Sequence, residues 1–203
     1  MLLALCDLDG TFVQTSRHVP ANVIKNIVYT SDTQKQLVMT NKQLSLFNFL
    51  NENGIVIPVT ARSLDSLLRL KSHMPFKHEK ICSHGARIYD KDNFLDQDYD
   101  NFMTEMLIDV QDQFDKVMHI FACFANNSIF SNLKYNAIRN DHVILNIEAQ
   151  AETESHASII MDNIVRHNLL NMVVAKNGKS LSITAFSDSY KQIACHYLFN
   201  NIP

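Results

Sequence analysis

Leu2-Leu3-Ala4-Leu5-Cys6-Asp7-Leu8-Asp9-Gly10-Thr11-Phe12 is the stretch that decides the fold. Its apolar opening reads as a short buried strand. Where that run ends, Asp7 and Asp9 stand two residues apart, and in an extended chain residues i and i+2 point to the same side. Two carboxylates on one face repel each other, and burying them unpaired is costly. A divalent cation removes the repulsion, and Mg²⁺ favours carboxylate and water oxygens. Gly10 permits a sharp turn directly after the acids, and Thr11 adds a hydroxyl and an amide donor. Taken alone, the tetrapeptide also reads as an Asp-Gly surface turn. The apolar strand before it, at the head of the chain, favours a first strand that feeds a site in an α/β fold.

The 203 residues suit one domain, or one domain carrying an insertion. The chain is 46% apolar with a formal charge of −3, so it offers no basic field for nucleic acid or for an anionic membrane. No apolar run reaches the roughly 18 residues of a membrane helix. The first cation is Arg17, and a secretory leader is not expected. Cys6, Cys82, Cys123 and Cys195 are scattered, without a C-x-x-C pair, which suits reduced thiols and a cytoplasmic protein.

Residues 13–40 admit two readings. Pro20 opens a helix through Ile27, or Ile27–Thr30 and Gln36–Thr40 are strands joined by the polar Ser31–Lys35. A clearer helix follows, capped by Thr40 or Asn41. Leu44, Phe47 and Leu50 form its apolar face, Leu46 and Phe49 widen it, and Asn53-Gly54 ends it. Ile55–Thr60 reads as a buried strand in which Pro58 demands a bulge or a position where a donor would meet no neighbour. At its end Thr60-Ala61-Arg62-Ser63 leads into a helix carrying Leu64, Leu67 and Leu68. A hydroxyl and amides at such a strand-to-helix turn suit a phosphate as well as an ordinary cap. Ile81–Ser83 is a third short strand, followed by His84-Gly85-Ala86.

Residues 87–186 change rhythm. The acidic Asp96–Asp100 reads as a solvated loop. A helix is expected over Asp100–Lys116, strands over His119–Ala125 and His142–Glu148, and a second helix over Ser155–Leu169. A hairpin of Met172–Lys176 and Ser180–Ala185 turns at Asn177-Gly178. This order argues a separate α+β unit inserted in an α/β core. After it, Ser187–Gln192 opens a last helix with Ile193, Ala194, Tyr197 and Leu198 on its apolar face. Lys191 lies in the first turn, where the helix dipole disfavours a cation. That position invites a function as a point charge for phosphate, with Lys176 and Lys179 as competitors.

Asp7-Leu8-Asp9-Gly10-Thr11 resembles the D-x-D-G-T signature of the haloacid dehalogenase superfamily of phosphatases. Thr60 resembles that superfamily's second signature, with Ala61 where the related T-G-R form has glycine. His84-Gly85-Ala86 stands where relatives have N-G-A. The inserted unit resembles the C2-type cap of Cof-like and sucrose-phosphatase-like enzymes. The resemblance implies a Rossmann-like parallel core sheet from 1–86 and 187–203, with a cap over 87–186 and a mobile hairpin after the first strand. It implies Asp7 as the nucleophile forming an aspartyl-phosphate, Asp9 as acid and base, and Thr60 and Lys191 on phosphate. Arg62, His84 and Gly85 would face a small phosphorylated substrate, such as a sugar phosphate. Mg²⁺ would be held by the Asp7 carboxylate and the Asp9 carbonyl. The alternative is a weakly active or inactive relative that binds a phosphorylated ligand or a protein. Relatives carry a further strand ending in G-D-x-x-x-D, which residues 1–203 do not include. Weak metal binding is therefore expected of residues 1–203 alone. A second copy or a partner segment is expected over the open edge of Leu2–Cys6 unless another element covers it, and tight metal binding would point instead to another acid, such as Asp188, in the missing place.

Overall fold

A computed structural model describes residues 2–31, 34, 36–70, 73–140, 142–167, 169, 172–185 and 190–201. Ser187, Asp188 and Ser189, expected to open the last helix, lie outside the described residues, as do three positions of the Ser31–Lys35 connection. The chain forms two units, Met1–Asp96 with Tyr190–Pro203, and Gln97–Ser189.

The first unit contains β1 (Leu2–Cys6), β2 (Gln14–Thr15), β3 (Lys25–Thr30), β4 (Gln36–Thr40), α1 (Asn41–Asn53), β5 (Gly54–Pro58), α2 (Leu64–Leu68), β6 (Lys80–Cys82) and β7 (Arg87–Tyr89). β1 and β5 pair in parallel from Leu2↔Gly54 to Cys6↔Pro58 without a register shift. Pro58 therefore sits in a regular ladder rather than a bulge. The next amide, Val59 N, donates to Cys6 O at 2.8 Å. Because successive amides alternate sides, a donor at Pro58 would have pointed away from β1. Towards β6 the pairing starts only at the parallel bridge Val59↔Ile81. Gly54 is required for a reason other than helix termination. Its backbone is extended, and a Cβ there would run into the backbone of Leu2 on the neighbouring strand. Leu2 and Leu5 on β1 are 43% and 42% exposed.

The reading of Ile27–Thr30 and Gln36–Thr40 as strands holds, with β3 starting two residues earlier at Lys25, and the helix from Pro20 does not form. β4 lies between β2 and β3 in an antiparallel three-stranded sheet, and a single 3-10 turn occupies Ser16–His18. β4 runs directly into α1 through a capping box. Gln43 N donates to Thr40 Oγ1 at 3.3 Å, and Thr40 N donates to Gln43 Oε1 at 2.8 Å. α1 buries Phe47 between Phe12 and Phe76, edge-on to both rings. Leu44 and Leu50 flank it against the core, whereas Leu46 and Phe49 are exposed. The apolar stripe is thus narrower than the sequence suggests. β7 pairs antiparallel with β6, which keeps Arg87–Asp96 in the first unit and moves the boundary to Gln97. Lys80 reinforces this hairpin. Its Nζ, on a buried side chain, donates to the carbonyls of His78 and Asp90 at 2.9 Å and of Lys91 at 3.2 Å.

The second unit contains α3 (Gln97–Leu107), α4 (Gln111–Ala125), β8 (Lys134–Asn140), β9 (Val143–Gln150), α5 (Glu154–Arg166), β10 (Met172–Asn177) and β11 (Ser180–Ala185). The expected strand at His119–Ala125 is the last half of α4. Phe114, Val117 and Phe121 recur at helical spacing without a breaker, and all three are buried. The expected helix over Asp100–Lys116 is broken by a 3-10 turn at Ile108–Val110. Asp96–Asp100 is not a solvated loop, since Gln97 starts α3 and Tyr99 and Asp100 are buried. The sheet is antiparallel in the order β10-β11-β9-β8. One face carries Tyr135, Leu145, Ile147, Leu181 and Ile183 and meets the helices, with the Tyr135 ring stacked on Phe121 of α4. The other face is polar: Asn146 and Glu148 on β9, and Ser182 opposite Glu148 on β11. Burial pushes the Glu148 carboxyl above its ordinary range. The chain returns to the first unit in α6 (Tyr190–Asn201), which buries Tyr190, Ala194 and Leu198.

Gly54→Ala should cost about 1–3 kcal/mol, the usual price of overpacking, because Leu2 cannot yield without breaking the β1–β5 ladder. Urea unfolding checks this, and a variant as stable as the parent contradicts the close approach.

Candidate active site

β1 and β5 end side by side, and the polar residues that follow them converge within the first unit. After β1 the chain winds into a tight turn on the Leu8 carbonyl, which accepts from the amides of Thr11, Phe12 and Val13 at 2.9–3.2 Å. Gly10 has φ +87 with open space beside it, so its role is conformational. Leu8 is buried while Asp7 and Asp9 are exposed, as alternation along an extended segment requires. Thr11 Oγ1 donates to Asp7 Oδ2 at 3.3 Å.

Each acid has its own cation. Lys191 Nζ donates to Asp7 Oδ1 at 2.6 Å across 184 residues of sequence. Arg62 grips Asp9 with a two-pronged contact, Nη2 to Oδ1 at 2.6 Å and Nε to Oδ2 at 2.9 Å. A planar guanidinium matches a carboxylate in this way. Arg62 is further tied by its amide to Thr60 Oγ1 at 3.1 Å and by Nη1 to Ser66 Oγ at 3.4 Å. Thr60 is buried, and its own amide is committed to Ile81 O at 2.9 Å. The amides of Thr60 and Arg62 therefore serve the turn, and the hydroxyl is what Thr60 has to offer an anion.

The turn after β6 completes the frame. Ser83 N donates to Arg62 O at 2.8 Å and His84 N to Thr60 O at 3.1 Å. Ser83, His84 and Gly85 all have positive φ, at 52, 60 and 96°. The left-handed region costs the two non-glycine residues about 1–2 kcal/mol each. Gly85 has a second constraint, because a Cβ there would strike the backbone of Tyr190 and Lys191. This contact seats the first turn of α6 and so delivers Lys191 to Asp7. Gly85 is thus a packing residue that places a site residue. Burial, and then the charge of Lys191, hold the His84 imidazole below its usual pKa. Lys176, the competitor of Lys191, donates instead to Ser158 Oγ at 3.0 Å in the second unit.

One contributor was not foreseen from sequence. Gln43, beyond closing the capping box of α1, donates from Nε2 to Thr11 O at 2.5 Å. The Thr40-x-x-Gln43 spacing signals the cap, but nothing local signals the second bond.

Among the described residues no group of three or more His, Cys, Asp or Glu is arranged to hold a metal. The donors at the strand end are nevertheless hard oxygens, the chemistry Mg²⁺ takes, and one or two carboxylates completed by water and phosphate are a usual set for it.

The fold is similar to that of solved phosphatases and of a haloacid dehalogenase-like hydrolase. A sucrose-phosphatase from Synechocystis sp., solved with sucrose and phosphate, matches over 99% of this chain and 70% of its own, with TM-score 0.57 and 18% identity. A haloacid dehalogenase-like hydrolase from Bacteroides thetaiotaomicron matches over 98% and 76%, with TM-score 0.56 and 10% identity. The C-terminal domain of a trehalose-6-phosphate phosphatase from C. albicans matches over 94% and 59%, with TM-score 0.52 and 13% identity. No family model and no curated sequence matches the chain. No helix among the described residues is long and apolar enough to cross a membrane.

Two outcomes follow from the Ser83–Gly85 turn. Gly85→Ala should destabilise the protein by at least about 2 kcal/mol, since strain and collision add. Gly10→Ala, with strain alone, should cost about 1 kcal/mol. Equal losses in chemical denaturation would contradict the packing role. His84 binds a proton less readily folded than unfolded, so it costs no stability above pH 6.5 and a growing amount as the pH falls below that value. His84→Asn, which tolerates the left-handed region, should flatten the fall in stability between pH 7 and 5. An unchanged slope would show that His84 titrates normally.

Proposed function

We propose that the chain is a phosphoric monoester hydrolase that works through an aspartyl-phosphate. The observation that carries this is the pairing at the end of β1 in a haloacid dehalogenase-like fold, with Asp7 held between Lys191 and Thr11 and Asp9 held by Arg62. Asp7 is the exposed carboxylate with the nucleophilic role. It attacks phosphorus, a new P–O bond forms, and the bond to the leaving oxygen breaks. Asp9 gives the leaving oxygen its proton and then takes one from the water that hydrolyses the acyl phosphate. Arg62 must release one Asp9 oxygen before that oxygen can carry a proton. A phosphoryl group near Arg62 supplies a competing anion for the guanidinium. Lys191, already at Asp7, and the Thr60 hydroxyl offset charge on the phosphoryl oxygens.

Mg²⁺ would be held by the Asp7 carboxylate and the Asp9 carbonyl, where it would supply Lewis-acid stabilisation of the phosphoryl charge. Among the described residues Asp7 is the one carboxylate assigned to the metal, and it is already paired with Lys191, so the affinity should be low. The finer reading of the substrate is a sugar phosphate. Support comes from the sucrose-phosphatase among the similar structures. A second reading, a binding module for phosphorylated ligands, is favoured by the cation paired to each acid.

Release of phosphate from p-nitrophenyl phosphate and a panel of sugar phosphates, with Mg²⁺ and with EDTA, separates the two readings. The wild-type chain should turn over with Mg²⁺, and Asp7→Asn should lose about 10³-fold or more. Asp9→Asn should retain phosphate binding while losing hydrolysis. Phosphate binding by a wild-type chain with no turnover would favour the binding module, and an active Asp7→Asn would refute the mechanism.

A further inference from the structure

We propose that Gln43 is a positioning residue for the nucleophilic Asp7, acting through Thr11; this rests on the hydrolase reading above. The Gln43 side chain joins three segments. Its Oε1 accepts from Thr40 N at 2.8 Å, from Thr40 Oγ1 at 3.0 Å and from Gln14 Nε2 at 3.5 Å. An amide oxygen engaged in this way turns its NH₂ group the other way, and there Nε2 donates to Thr11 O at 2.5 Å. Thr11 is consequently held at its carbonyl by Gln43 and at its amide by Leu8 O, 3.2 Å away. With both backbone groups fixed, its hydroxyl is directed at Asp7 Oδ2, while Lys191 takes Oδ1. The nucleophilic carboxylate is thus oriented from both sides, and one side is anchored to the N-terminus of α1. Placement of an attacking atom matters on the scale of an ångström, so loosening Thr11 should slow the chemical step more than it weakens substrate binding.

The capping box gives Gln43 a structural role as well, and two substitutions separate the roles. Gln43→Glu keeps an oxygen for Thr40 N and the cap but removes the donor to Thr11 O. Thr40→Ala removes the cap hydroxyl but leaves the Gln43 bond to Thr11. In Mg²⁺-supported hydrolysis of p-nitrophenyl phosphate, Gln43→Glu should lower kcat about tenfold or more with KM within about twofold of wild type and thermal stability unchanged. Thr40→Ala should melt at lower temperature and retain kcat. Gln43→Ala should combine the two defects. Adding Thr11→Val to Gln43→Glu should cost little beyond either alone, because both act on one path. Wild-type kcat in Gln43→Glu, or a kcat loss in Thr40→Ala as large as in Gln43→Glu, overturns the proposal while leaving the hydrolase reading intact. A wild-type chain without turnover of any phosphomonoester overturns that reading and this role with it.

Discussion

Like charge at the end of β1 is the constraint to which the first unit answers. Asp7 and Asp9 leave the strand on one side, and each needs positive charge to sit beside the other. The chain supplies it from two distant places, Arg62 after β5 and Lys191 in α6. Neither cation is placed by its own side chain alone. Arg62 is fixed by Thr60 and by the amide of Ser83, and Lys191 by the packing of Gly85 against its backbone. The acids, the two cations and the Ser83–Gly85 turn therefore form a closed ring of contacts. The strained turn is the link between its two halves, and its unfavourable backbone is held by hydrogen bonds to the Thr60–Arg62 turn.

The parallel ladder beneath the ring explains why the polar residues gather at one end. In parallel sheets both strands deliver their carboxyl ends to the same edge, where a ligand meets loops rather than packed side chains. The second unit follows a different rule. Its antiparallel sheet gives one face to the helices, while the other carries Asn146, Glu148 and Ser182, of which Asn146 and Ser182 are themselves buried.

Much of the fold was legible because its signals are local. The apolar run into Asp7, the cap at Thr40 or Asn41, the Thr60–Ser63 lead into α2 and the Asn177-Gly178 hairpin each announce an element within a few residues. Where the outcome depended on distant packing, the sequence misled. His119–Ala125 is a short apolar run that suits a strand or a buried helix equally, and only its continuity with Gln111–Lys116 makes it helical. β8, with Lys134, Asn136 and Arg139 interleaved, has too little apolar character to stand out. Gly54 reads as a helix stop because the approach of Leu2 is not visible along the chain. In the site the motifs named the acids, Thr60 and Lys191. They gave no hint that Arg62 would grip Asp9, or that Gln43 would reach Thr11 across 32 positions.

The Lys191–Asp7 contact has a consequence for the order in which the molecule is made. It joins the first strand to the last helix, with the whole second unit between them, and so long a closure is slow to form and late. In order of synthesis the two acids precede Arg62, Arg62 precedes the second unit, and α6 follows that unit. Until that helix docks on Gly85, Asp7 lacks its lysine. The ring of contacts thus stays open until α6 has been made, and a cut anywhere in the intervening connections would reopen it if α6 came away.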